Sequence, residues 1–276
     1  MSGEAIFKNI LMITPCAPDE NGSGTFKRAA AHLKTLCGIY RVHLLIFTHD
    51  PVIPESRLEW LKSQCVSVVI IPSTKLDPRG PSLPPKATME EIFNSELYSG
   101  LPSDNWLLRA VNKLGMTGFD AIFCFRISSA LLLNRMQRVT SISARRKIVD
   151  FDDIESISKK RAAKFVKMGI EIAVINKIIY WRLQKIENDL LRTYQDVLVC
   201  SDLDKKLLQS RGSKAAIHAI PNSIALQPVT PPLQERDTLH ILFVGIMSYA
   251  PNEDGVIWFC REILPLIEAE VRQGKL

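Results

Sequence analysis

Residues 9–38 read "NILMITPCAPDENGSGTFKRAAAHLKTLCG", and this stretch decides the fold. It opens with "NILMIT", a short apolar run that is continuous rather than alternating, which predicts a strand covered on both faces. From Thr25 the apolar positions take helical spacing, with a small residue ahead of the run and Gly38 closing it. A strand, a loop and a helix in that order begin an α/β layer. The loop carries Gly22 and Gly24, which let the backbone approach a ligand closely, ahead of a helix N-terminus that favours an anion. Its spacing matches neither GxGxxG nor GxxxxGK[ST], so neither a dinucleotide site nor a P-loop is expected. A flexible loop with a helix cap accounts for the same residues.

The unit repeats along the chain. Similar runs occur at "VHLLIF" (42–47), "VSVVII" (66–71), "DAIFCF" (120–125), "RKIVDF" (146–151), "DVLVCS" (196–201), "AIHAI" (216–220) and "HILFVG" (240–245), with helical spacing between them. This alternation predicts a doubly wound, Rossmann-like parallel α/β sheet. Two segments break the rhythm. The proline-rich residues 72–91 read as a long surface excursion, and 223–238 form a second such stretch, after which a fresh strand begins. That shift predicts a first domain over 1–225, a linker over 226–238 and the start of a second domain over 239–276. One strand and one helix cannot bury themselves alone, so the second domain reads as incomplete.

Composition narrows the class. Of 276 residues, 46% are hydrophobic and 23% charged, ordinary for a globular protein able to bury a core. The net charge of +6 favours anionic partners but is too mild and scattered to argue for nucleic acid. The six cysteines are dispersed without a CxxC pair and read as small core residues in a reducing compartment. No signal pattern opens the chain and no apolar run approaches a bilayer span, so a cytoplasmic protein is expected.

Chemistry is expected beyond the carboxyl ends of the strands, where open α/β sheets bind ligands. There "KIVDFDDIES" (147–156) crowds Asp150, Asp152, Asp153 and Glu155 together. Asp150-Phe151-Asp152 is formally a DxD, able to bind a divalent metal through hard oxygen ligands. Alternatively, Asp153 or Ser156 caps the next helix, Glu155 lies near its positive dipole end, and Lys159, Lys160 and Arg161 neutralise the acids. Arg126 follows another strand end. Residues 159–192 are basic with an apolar middle holding Tyr180 and Trp181, either a core helix with a solvated face or a surface that meets anionic lipid headgroups. His49 follows the second strand, but no nucleophile–histidine–acid set emerges among the five histidines.

Several motifs together resemble family 4 glycosyltransferases of the GT-B fold. They are "VLVCSDLDKKLL", "IHAIPNSI" and "ILFVGIMSYAPNEDGVIWFCREILPLI", with the N-terminal "ITPCAPDENGSGTFKRAAAHLKTL" similar to that family's first strand, glycine loop and helix. "VDFDDIESISKKR" is similar to the acidic strand end of the bacterial exopolysaccharide-type branch. The resemblance implies metal-independent transfer of a sugar from a nucleotide-sugar donor, with no cofactor, to a glycan or lipid-linked acceptor, in a cleft between two domains. It implies catalytic roles for Asp150, Asp152 and Asp153 facing the acceptor. Gly22, Gly24 and Arg28 would line the phosphate or acceptor loop, and Arg126, Glu155, Asn222, Gly245 and Asn252 would contribute to substrate binding. The family's diphosphate-binding cations are missing from "GIMSYAPNEDG", and its donor-binding glutamates would lie past Leu276, so little or no transfer by this chain alone is expected. Two rival readings are a non-catalytic binding module derived from such an enzyme, and a metal-dependent phosphotransfer enzyme using Asp150 and Asp152.

Overall fold

The computed structural model describes residues 8–48, 52–72, 101–162, 170–223, 241–245, 247 and 250–273. The chain divides into two compact units, Met1–Ala225 and Leu226–Leu276.

The first unit is built on seven strands: β1 (Asn9–Thr14), β2 (Arg41–Thr48), β3 (Ser67–Pro72), β4 (Gly118–Phe125), β5 (Ser143–Asp150), β6 (Asp196–Val199) and β7 (Ala216–Ala219). They form one sheet in the order β3-β2-β1-β4-β5-β6-β7, and every pairing is parallel. Between them run α1 (Gly24–Cys37), α2 (Glu55–Gln64), α3 (Asp104–Leu114), α4 (Ile127–Val139), α5 (Glu155–Ala162), α6 (Ile170–Thr193) and α7 (Asp202–Gln209). The α/β, doubly wound Rossmann-like sheet that the apolar runs predict is therefore present.

Strand periodicity sorts the core into two layers. On β1, Leu11 and Ile13 join the side chains of α3, α4, α6 and α7, while Ile10 and Met12 join those of α1 and α2. Alternate residues point to opposite faces, so a strand covered on both sides has to be apolar throughout. The helix ends have local causes. Ser201 caps α7 by accepting from the Asp204 amide at 3.1 Å, and α3 ends at Gly115, whose φ of +71° a side chain would strain.

Strand order reverses between β1 and β4, and such a reversal opens a crevice at the carboxyl edge of the sheet. The loops after β1, β4, β5, β6 and β7 share that edge.

In the second unit, α8 (Ala250–Trp258) runs through a π-helical turn (Phe259–Ile263) into α9 (Leu264–Arg272). The strand expected over 240–245 is not formed at the described residues 241–245. Both proline-rich stretches fall largely outside the described residues, as do His49 and His240.

Candidate functional site

The strand-end acids divide sharply. Asp150, the last residue of β5, is fully buried, and its carboxylate is saturated. Oδ2 accepts from Arg28 Nε at 2.8 Å and pairs with His32 Nε2 at 2.6 Å, while Oδ1 accepts from Arg28 Nη2 at 3.1 Å and the Asp152 amide at 2.9 Å. An ionised carboxylate offers about four lone-pair sites. All four are occupied, and His32 must carry its proton on Nε2 to fill one of them. Burial alone would raise the Asp150 pKa, but the hydrogen bonds from His32 and Arg28, with their charges, outweigh it and hold the carboxyl below its usual value.

Arg28 is equally committed. Its other contacts run from Nη1 to the Ile220 carbonyl at 2.7 Å and to Asn222 Oδ1 at 3.0 Å, Nε also lies 3.7 Å from Asp152 Oδ1, and its side chain is 4% exposed. Burial alone would lower its pKa, but the Asp150 carboxylate holds it above the usual arginine value. Two of the expected site residues are thus held inside the protein. Asp150 does not face an acceptor, because no lone pair remains to receive a hydroxyl. Arg28 does not line a phosphate loop, because its guanidinium is buried among protein acceptors. Together they clamp α1 to the ends of β5 and β7. The DxD does not present two open carboxylates either, and no cluster of three or more His, Cys, Asp or Glu able to hold a metal occurs among the described residues.

The other acids are differently placed. Asp152 is partly buried, with a left-handed φ of 59°, and the Cys200 thiol donates to its backbone carbonyl at 2.8 Å. Burial pushes its pKa up, opposed by the nearby Arg126 charge and reinforced by Asp150. Glu155 opens α5 and is also raised by burial, again opposed by Arg126 and reinforced by Glu187. Asp153 is exposed. The following Ser156 is buried and tied to the buried Glu187 of α6, its amide donating at 2.8 Å and its hydroxyl at 2.6 Å. Arg211 Nη1 also donates to Glu187 at 2.6 Å, which fixes the start of α5.

Arg126 stands directly after β4, beside the reversal in strand order. Its φ of 68° and ψ of 158° lie in a region used almost entirely by glycine, which costs a non-glycine residue about 1–3 kcal/mol. Its amide donates to the Asp150 carbonyl at 2.7 Å, so the β5 clamp holds the strained turn. Its charge acts on Asp152, on Glu155 and on the Cys16 thiol in the loop after β1. Burial raises the Cys16 pKa and pushes the Cys200 thiol up to about 12, so neither is a thiolate at neutral pH.

The glycines differ from one another. A Cβ on Gly22 would meet Phe26 Cβ at 2.6 Å, so Gly22 is required by local packing. A Cβ on Gly24 would meet nothing within 4 Å, and this residue begins α1 with no acid in the first turn. Asn222 follows β7 and accepts from Arg28. Gly245 and Asn252 belong to the second unit, where a Cβ on Gly245 would meet Asn252 Nδ2 at 2.8 Å.

Sequence reasoning missed His32 and Cys200. His32 lies four residues after Arg28, so both fall on one face of α1, and that spacing is a usable signal. Cys200 is visible only as the residue ending a strand run.

No protein-family model matches the chain, and no curated protein matches it. Solved structures do. A sucrose-phosphate synthase from Thermosynechococcus elongatus aligns over 78% of this chain and 88% of its own, at 13% identity and a TM-score of 0.39. A UDP-glucosyltransferase from Polygonum tinctorium, in complex with 3,4-dichloroaniline, aligns over 83% of this chain and 56% of its own, at 11% identity and a TM-score of 0.45. The chain thus spans about half the length of that second protein.

Proposed function

We propose that the chain is a glycosyltransferase-like protein that binds a nucleotide sugar and directs its sugar to a glycan or lipid-linked acceptor, in the manner of the GT-B family 4 enzymes its motifs resemble. One observation carries the reading. Arg126 is held in a strained conformation at the strand-order reversal, with Asp152 and Glu155 within reach of its charge. Backbone strain of that kind persists only where the surroundings over-determine it, and it clusters at functional sites.

In this reading Asp152 or Glu155 is the base. A carboxylate whose pKa is raised by burial is better matched to accepting a proton near neutral pH than an ordinary one. It takes the proton of an acceptor hydroxyl as the oxygen bonds to the sugar's anomeric carbon, and the bond from that carbon to the diphosphate breaks. The departing diphosphate carries the negative charge, which Arg126 and the amides opening α1 would stabilise without a metal. Asp150, Arg28 and His32 position these groups. The protein would act in the cytoplasm; no helix among the described residues is long and apolar enough to cross a membrane.

Calorimetric titration of the full chain with UDP-, GDP- and ADP-sugars tests this. Binding of one of them, unchanged by magnesium and weakened by Arg126→Ala, is expected. Failure of all three to bind overturns the reading, and a strict magnesium requirement favours the phosphotransfer alternative.

A further inference from the structure

Helix α6 carries a surface that the candidate site does not use. Its 24 residues extend about 36 Å at 1.5 Å per residue. Ile179, Leu183, Leu190 and Leu191 are buried on one side. On the opposite side Val174, Lys177, Trp181 and Lys185 fall within an arc of about 80° at 3.6 residues per turn, and all four are exposed. Trp181 is 60% exposed and Val174 50%. Beside them, α5 exposes Lys160, whose ammonium lies 5.6 Å from the centre of the Tyr180 ring. The Tyr180 and Trp181 rings pack edge to face at 6.2 Å. The exposed carboxylate among the described side chains of α6 is Asp189, one turn beyond Lys185 and paired with Arg192 at 3.7 Å, and the exposed charges from 174 to 188 are all cationic.

We infer that the outer face of α5 and α6 docks this protein on an anionic lipid surface, with Lys177 and Lys185 at the headgroups and Trp181 and Val174 entering the boundary between headgroups and acyl chains. Cations alone would serve any polyanion. An exposed indole and a valine in the same stripe cost solubility, and they gain energy only where the partner is apolar below its charge, as a bilayer is. The charge is complementary as well, since basic side chains are drawn to acidic headgroups. This inference stands on α5 and α6 by themselves and goes beyond the transferase reading: a failure to bind lipid leaves nucleotide-sugar binding untouched, and the converse holds.

Co-sedimentation of the full chain with phosphatidylcholine vesicles, with and without phosphatidylglycerol, provides the test. Binding to the anionic vesicles is expected to exceed binding to the neutral ones and to weaken as salt is added. The Lys177→Glu/Lys185→Glu double variant is expected to lose about tenfold or more in anionic-vesicle affinity. Trp181→Ala is expected to lose a few-fold, with circular dichroism unchanged in both variants. No binding, or equal binding to both vesicle types, overturns the inference. It is also overturned if the lysine reversals abolish binding while Trp181→Ala leaves it intact, because the face would then be a general polyanion site.

Discussion

Asp150 and Asp152 lie two residues apart and share Arg28, whose Nε is 2.8 Å from the first and 3.7 Å from the second, yet they differ in how fully their carboxylates are hydrogen-bonded. The region around Asp150 is closed: a buried carboxylate, a buried guanidinium and a histidine satisfy one another, and the acid's pKa falls. The region around Asp152, Glu155 and Arg126 is poised: its acids are partly buried and have raised pKa values, and its cation occupies a strained turn. What separates them is the number of donors that reach each carboxylate. A saturated buried charge locks elements together, whereas an incompletely satisfied one keeps capacity for a ligand.

Breaking the closed region should produce the largest effect. Arg28→Ala leaves the buried Asp150 carboxylate with only His32 and the Asp152 amide and is expected to cost about 3 kcal/mol, read from denaturant midpoints. The same region governs acid stability. The Asp150 pKa is lower in the folded chain than in the unfolded chain, so its contribution is fully present above the unfolded value and is lost as pH falls through the folded one. Urea titrations across that acid range should show wild-type stability declining more steeply than that of Asp150→Asn.

The poised region should respond less in stability and more in binding. Arg126→Gly and Arg126→Ala both remove the guanidinium, but only glycine relieves the backbone. The glycine variant is expected to be the more stable by about 1 kcal/mol, with donor binding weakened equally in both. At Glu155 burial raises the pKa, so the cost of its charge is present above the folded pKa and is relieved as pH falls. Glu155→Gln is therefore expected to gain slightly in thermal midpoint at neutral pH, a gain that disappears in acid. Asp153→Asn, at an exposed position, should change stability by less than about 0.5 kcal/mol, and a larger change would blur the contrast between the regions.

A similar contrast separates the two units. In the first, every strand finds neighbours, and its apolar runs become two packed layers. In the second, Leu242, Val244 and Trp258 remain exposed, although "HILFVG" has the same pattern as the buried strands. A hydrophobic pattern states which face must be covered and cannot supply the cover. The α5–α6 sequence suits either a core helix with a solvated face or a surface that meets anionic lipid headgroups, and in the structure α6 has one buried side and one exposed side.

The alternation of strands and helices, the parallel sheet and the strand-end position of the acids were all legible in the sequence alone. Each follows from local spacing, because side-chain direction repeats every two residues in a strand and every 3.6 in a helix. Only the tertiary structure decided which acid is clamped and which is poised. Arg28 and His32 reach Asp150 from 122 and 118 residues away in the chain. Hydrogen-bond saturation depends on which donors the fold brings to a carboxylate, and no local periodicity encodes that.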